Sequence, residues 1–428
     1  MKKIAIGIFL VSLCIACQDS NKQHITVLNS ADYNVYLDSD QVTYENAKKN
    51  NEFWLKRLAP DSSGVGDLGP LAGTYTDLFV ATGKVSNLKN VEALYKKAIN
   101  ISATNKDSYT RSLAQNYMSQ HRFKEAQELL ETIYAGHTNK RVTELQLFDV
   151  YMERGMYDKA FENLQKVKNT GDYHYLIRLA KWSDYRGDLD LAIKYLEQAL
   201  AIAESGGLKP LKIWTYTNLG DFYGHAGRIN DAYNMYLKTL ALQPDNAYAK
   251  KGIAWIAYAY EKDTEEANRI LDKILEHHNM PDYFLFKAEI AEYKGDIETM
   301  EKNLKLFETT VSDSNYGMMY NTYFVEYFAE RNPKKALEIA RQEVINRATP
   351  ETFHLLALAQ LNNGLKSEAL TTIQRFVAGK TSKPKALFHS ALVYKANGMD
   401  DLVKEISETL KDASFQIGPL LSKKVQSL

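Results

Sequence analysis

Apolar and polar positions alternate along this chain with a helical period, and the period itself repeats. In RGDLDLAIKYLEQALAI (186–202) a Gly is followed five residues on by Ala192, and four further on by Leu196. In AGRINDAYNMYLKTLAL (226–242) the same places hold Gly227, Ala232 and Tyr236, with further apolar residues at helical spacing. Apolar side chains three and four apart form one stripe of an α-helix. Each segment therefore predicts a helix entered just after a glycine.

The small residue recurs as a marker at Ala126, Ala160, Ala192, Ala232, Ala267, Met300, Ala336, Ala369 and Val403, about 34–35 residues apart. Nine residues before it stands Tyr117, Tyr151, Tyr223, Tyr327 or Tyr394. Twelve before it is a small residue at Ala114, Ala180, Gly220, Ala288, Ala357 and Ala391. Five before it is Gly155, Gly187, Gly227, Gly295, Gly364 or Gly398. Four after it comes a filler: Leu130, Leu164, Leu196, Tyr236, Leu271, Leu304 or Ile373.

Each choice has a physical reason. Glycine ends a first helix where the backbone turns left-handed. The small residues mark the closest approach of two helices, where a larger side chain would overpack. One hairpin leaves a face uncovered, so neighbours must stack. Met300 and Val403 break the small-residue rule, and Arg331 stands where a Gly is expected. Those hairpins are expected to pack less tightly. ESGGLKP (204–210) and SDSNYG (312–317) are expected to lengthen two connections and bend the array.

A 34-residue hairpin period with these markers resembles the tetratricopeptide repeat family. The best copy is YTNLGDFYGHAGRINDAYNMYLKTLALQP (216–244). The resemblance implies an all-α fold, a right-handed α-solenoid of about nine to ten hairpins. The expected layout is a signal peptide over 1–16, a tether and capping helix over 17–66 and an irregular first repeat over 67–106. The array follows over 107–412, with a C-terminal cap over 413–428. In this family the first-helix positions facing the concave groove do the binding. Carried over by register, they are His174, Ile177, Lys181 and Tyr185, then Trp214, Thr217, Asp221 and His225. Leu285, Glu289 and Tyr293 follow, and then Phe388 and Lys395. Some of these are expected to be buried between repeats instead. The subfamily that holds a C-terminal carboxylate uses a Lys and Asn set. Here the matching places carry Arg111, Gln115 and Gln146, so that set is incomplete.

The N-terminus reads differently. Lys2 and Lys3 precede the short apolar run IAIGIFLVSLCIA, and Cys17 follows Ala16. Basic start, apolar core and small residue make a secretory signal. Its end resembles a bacterial lipobox, although Cys14 stands where Leu is usual. The resemblance implies cleavage before Cys17, lipidation of its thiol, and anchoring in the cell envelope, with Gln18 favouring the outer membrane. The mature chain would then hold no free thiol, which excludes disulfides and thiolate chemistry.

Composition narrows the rest. Acidic and basic residues balance at 53 each. A basic footprint for nucleic acid is absent, so nucleic-acid binding is not expected. GVGDLG (64–69) follows a charged helix, not a strand, and reads as a loop rather than a phosphate site. RGD (186–188) falls at a repeat turn, and DTEE (263–266) reads as solvated surface at a helix start. His277 and His278 are adjacent, without the spacing of metal ligands. Glu289 and Glu292 lie on one helix and do not flank a bond from two sides, as glycosidase carboxylates must. The expectation is a non-catalytic scaffold without cofactor or metal, binding a protein or peptide partner. A glycan-capture lipoprotein and an enzyme with a site assembled across repeats are the alternatives.

Overall fold

The computed structural model describes residues 26–58, 64–136 and 139–428; Cys17 and the signal segment lie outside them. No strand occurs among the described residues. Ten helical hairpins follow one another, from Val65–Thr82 with Ser86–Ile101 to Pro384–Ala396 with Asp400–Asp412. First helices touch the first helix of the next hairpin, as Asn321–Arg331 touches Pro350–Asn362 and Pro350–Asn362 touches Pro384–Ala396. They form the inner wall of an all-α solenoid.

The repeat markers do the work their chemistry implies. Ala126, Ala160, Ala192, Ala267, Ala336 and Ala369 are fully buried, each between its own two helices. The six glycines that precede a marker all have φ between 71° and 81°, a conformation that disfavours a Cβ. His121 and Lys262 occupy the same slot with φ 57° and 60°. Arg331 is accommodated differently. The turn contracts to Asn332 alone, whose side chain accepts from the Lys335 amide while Pro333 opens the next helix.

Three sequence expectations change. GVGDLG is not a loop, because the helix Val65–Thr82 begins inside it and buries Leu68 and Leu71. ESGGLKP hardly lengthens its connection, since the preceding helix runs on to Ser205 and the next starts at Lys209. SDSNYG does lengthen its connection, but the loop folds inward. Tyr316, Met319 and Tyr320 are buried with Phe307, Val85 and Leu88.

That cluster joins the first hairpin to the seventh, so the solenoid closes on itself. Asn279 donates from its amide to the Thr82 carbonyl at 3.0 Å. One step along, Arg154 donates to the Ile345 and Asn346 carbonyls, and Asn346 donates to the His121 carbonyl at 2.8 Å. Further on, Lys383 pairs with Asp184 at 2.7 Å. Successive turns are thus bolted together through polar contacts at helix ends.

Residues 27–40, expected to belong to a polar tether, do not hang free, and Thr43 at the start of the next helix is held with them. Tyr33 is buried, stands edge-on to Tyr233 at 6.4 Å and donates to Glu266 at 2.5 Å. The Val27 amide donates to Glu261, and the Thr43 amide and hydroxyl donate to Asp245. The segment straps the second helices Ile229–Leu242 and Thr264–Leu275, away from the inner wall. Glu266 of the DTEE run is consequently a strap contact as well as a first-turn acid. The helix Val42–Arg57 then packs on the first hairpin.

Candidate functional site

The inner wall encloses a cavity of about 1020 Å³ between the fifth hairpin and the C-terminus. Of the residues carried over by register, Asp221, Leu285, Glu289, Phe388 and Lys395 line it. His174, Lys181, Tyr185, Trp214, Thr217, His225 and Tyr293 do not. Thr217 is buried, and its hydroxyl bonds back to the Ile213 and Trp214 carbonyls. Lys181 is engaged by Glu153 at 2.9 Å, and Tyr185 stacks on Tyr157 with centroids 4.0 Å apart. Trp214 is 40% exposed and meets the edge of Tyr173. Tyr293 stands edge-on to Tyr258 with ring centroids 5.9 Å apart.

The register misses the helix Ala247–Ile256, which supplies Trp255 and Gly252 and continues into a π-helical turn, Ala257–Glu261. A π turn inserts one residue. It shifts Trp255 out of the small-residue slot and onto the place that Asp221 and Glu289 occupy in neighbouring repeats, while Ala254 takes the buried slot. One signal was present: twelve residues before Ala267 the sequence holds Trp255 instead of Ala or Gly. Met300, one of the two markers that are not small, is only half-buried. With Leu304 it lets the cavity run between the seventh and eighth hairpins. Phe307 fills the core there in place of Leu304.

The charges of the wall are mostly matched. Lys251 pairs with Asp282 at 3.2 Å and Lys385 with Glu326 at 3.1 Å. His389 stands 2.9 Å from His354, nitrogen to nitrogen, and 4.0 Å from Glu326. Burial, reinforced by Lys385, holds His389 down at about 3, so it stays neutral. Two of the wall's carboxylates that are withdrawn from solvent lack a cation at contact distance. Asp221 accepts from the Tyr236 and Tyr248 hydroxyls at 2.7 and 2.5 Å, and burial raises its pKa. Glu289 is bonded to the Tyr258 hydroxyl; burial pushes it up to about 7, against the pull of Lys385. No group of His, Cys, Asp and Glu side chains suited to a metal ion occurs among the described residues. The RGD sequence has a structural task, its Asp188 accepting from the Leu191 amide at 2.9 Å.

The helix Ser414–Val425 reaches further than the last hairpin. Its Ile417 and Val425 pack with Phe388 and Leu410 there. It also touches the first helices Lys209–His225 and Asp282–Lys294 and the π turn, so it lies in the groove. Leu420, Leu421 and Lys424 form part of the cavity wall.

Stacked hairpins with an inner wall of first helices define a helical-repeat binding protein. Residues 175–245 match the sequence model of the tetratricopeptide repeat, and the hairpins on either side of them continue the same helical pairing. No curated protein sequence matches it. Among solved structures, it is similar to a tetratricopeptide repeat protein from Parabacteroides merdae, at 13% identity over 57% of this chain and 92% of that one, TM-score 0.40. It is similar to PilW, a type IV pilus biogenesis factor, at 18% identity over 50% and 97%, TM-score 0.39. Similarity to yeast Tom70 spans 91% of this chain and 96% of that one, at 15% identity and TM-score 0.40.

Proposed function

We propose that the protein is a non-catalytic scaffold that holds a protein or peptide segment in its concave groove, at the cell envelope. The fold belongs to a class that works by protein interaction. The observation that carries the reading is the groove cavity of about 1020 Å³, walled by aromatic and aliphatic side chains interleaved with acidic and basic ones. That mixture suits side-chain anchors flanked by polar backbone groups. Envelope anchoring rests on the signal segment and Cys17, which lie outside the described residues. No described helix is long and apolar enough to cross a membrane, and the reading assigns the membrane contact to lipid on Cys17.

The test places a photo-crosslinking residue at Lys395, exposed beside the groove, in cells. One dominant envelope protein recovered by mass spectrometry supports the reading. An intact fold that captures no protein overturns it and points to glycan or small-molecule capture. Cys17→Ser tests the anchor, with the expectation that the chain leaves the membrane pellet.

A further inference from the structure

The C-terminal segment makes contacts that covering the last hairpin does not require. The Trp255 indole donates to the Phe415 carbonyl at 3.1 Å, and the Leu420 amide donates to the Tyr258 hydroxyl at 3.3 Å. Lys424 meets Glu292 at 2.8 Å. The partners lie about 130–160 residues away in sequence, in the sixth and seventh hairpins. Two of these contacts address the backbone of the segment, which is how grooves hold peptides.

The segment is also shaped for the place. The helix breaks at Gly418, with φ 70° and ψ 172°, and restarts at Pro419. At the break the backbone reaches the groove floor. A Cβ on Gly418 would stand 3.0 Å from Trp255, 3.1 Å from Glu289 and 3.2 Å from Tyr258. Phe415 lies flush on Gly224, where a Cβ would come within 2.6 Å of its ring. Yet the segment does not fill the groove. The cavity continues alongside Ile417, Leu420 and Leu421. A segment that served only to seal the core would leave no such space.

Resting on the binding reading above, we infer that residues 414–428 are a built-in occupant of the groove. The external ligand they hold off is a peptide of the same chemistry. It has apolar side chains on both sides of a sharp backbone bend, followed by a lysine or arginine that meets Glu292. The bend is required by the approach at Gly418. The apolar anchors correspond to Phe415, Ile417 and Leu420, and the cation is required because the acidic side of the groove is otherwise unmatched there. Only Ala413 links the segment to the last hairpin, so it competes at the high effective concentration of a short tether. A competing peptide sees its affinity reduced by the fraction of time the groove is vacant.

The experiment uses the full chain and a fluorescent peptide of residues 413–428, ASFQIGPLLSKKVQSL, read by anisotropy. Gly418→Val should expel the segment, because its side chain collides with the groove floor and its φ is unfavourable. The variant should bind the peptide about tenfold or more tightly than the natural chain. A peptide carrying Lys424→Glu should bind it several-fold more weakly. If Gly418→Val keeps its helicity and melting temperature but binds no better, the inference fails. If that variant unfolds, hydrogen exchange on the natural chain decides. Amides of 415–425 exchanging well ahead of those in Asp400–Asp412 support a displaceable occupant, and equal protection overturns it. Crosslinking from Lys395 separates the two readings. A partner captured equally by the natural chain and Gly418→Val, without peptide binding, sinks the built-in occupant and leaves the scaffold standing.

Discussion

Glu153 and Arg347 are 194 residues apart in sequence and meet at 2.6 Å across two turns of the solenoid. Glu153 also holds Lys181 of its own turn at 2.9 Å. Burial works against the charge on Glu153, but Lys181 and Arg347 overcome it and hold its carboxyl down at about 2. A lowered folded pKa contributes stability that is complete above the unfolded value of about 4.5 and is lost as pH falls towards 2. The turns should therefore loosen on acidification across that window. Arg347→Met should cost about 2 kcal/mol at neutral pH, between an exposed pair and a fully buried one. Glu153→Gln should flatten the acid limb. Thermal melts from pH 2 to 7 on the three chains check both statements.

The strap gives a sharper test of long-range packing. Tyr33 is 1% exposed and its hydroxyl is bonded to Glu266. Tyr33→Ala should cost about 3–5 kcal/mol, as expected for a buried aromatic. The loss should stay in the strap. Limited proteolysis is expected to cut near residues 38–41 while the array from Val65 onward resists. General proteolysis of the array would show that strap and hairpins unfold as one unit.

At the repeat marker, Ala192 has no exposure and lies between the helices Tyr173–Tyr185 and Leu189–Ser205. Ala192→Leu should overpack that contact by about 1–3 kcal/mol. Urea unfolding followed by circular dichroism reads the cost. Trp214→Ala, at an exposed edge outside the cavity, should change stability by less than about 1 kcal/mol and leave groove binding intact.

Glu289 moves in the opposite sense from Glu153. Its folded pKa is raised to about 7 by burial, so the folded state keeps a proton that the unfolded chain releases near 4.5. Stability should fall as pH rises from about 4.5 to 7 and level off above that. Since Glu289 lies under Gly418, hold on the C-terminal segment should weaken over the same range. Glu289→Gln should remove this slope, as measured by melting temperature and by hydrogen exchange of 415–425 between pH 5 and 8.

Much of the fold was legible because its determinants are local. A glycine with positive φ, an alanine at a helix crossing and a filler four residues later act within one hairpin, and their spacing survives in the sequence. Asp221 and Glu289 line the cavity at the places register gives them, because their helices keep the regular count. Trp255 was lost because one inserted residue in the π turn moves it by one place. His174, Lys181 and Trp214 lie on first helices, but the cavity begins only further along the solenoid.

By itself, then, the sequence determined the hairpin, its repetition and the exposed turns, because each depends on contacts a few residues to a few tens of residues apart. Only the tertiary structure decided how tightly the solenoid winds. Winding sums small rotations at every interface, and no local pattern records the sum. It is that sum which carries Arg347 to Glu153, folds Tyr33 onto Tyr233 and lays Phe415 against Gly224. Where the groove lies, and what fills it, follow from that closure.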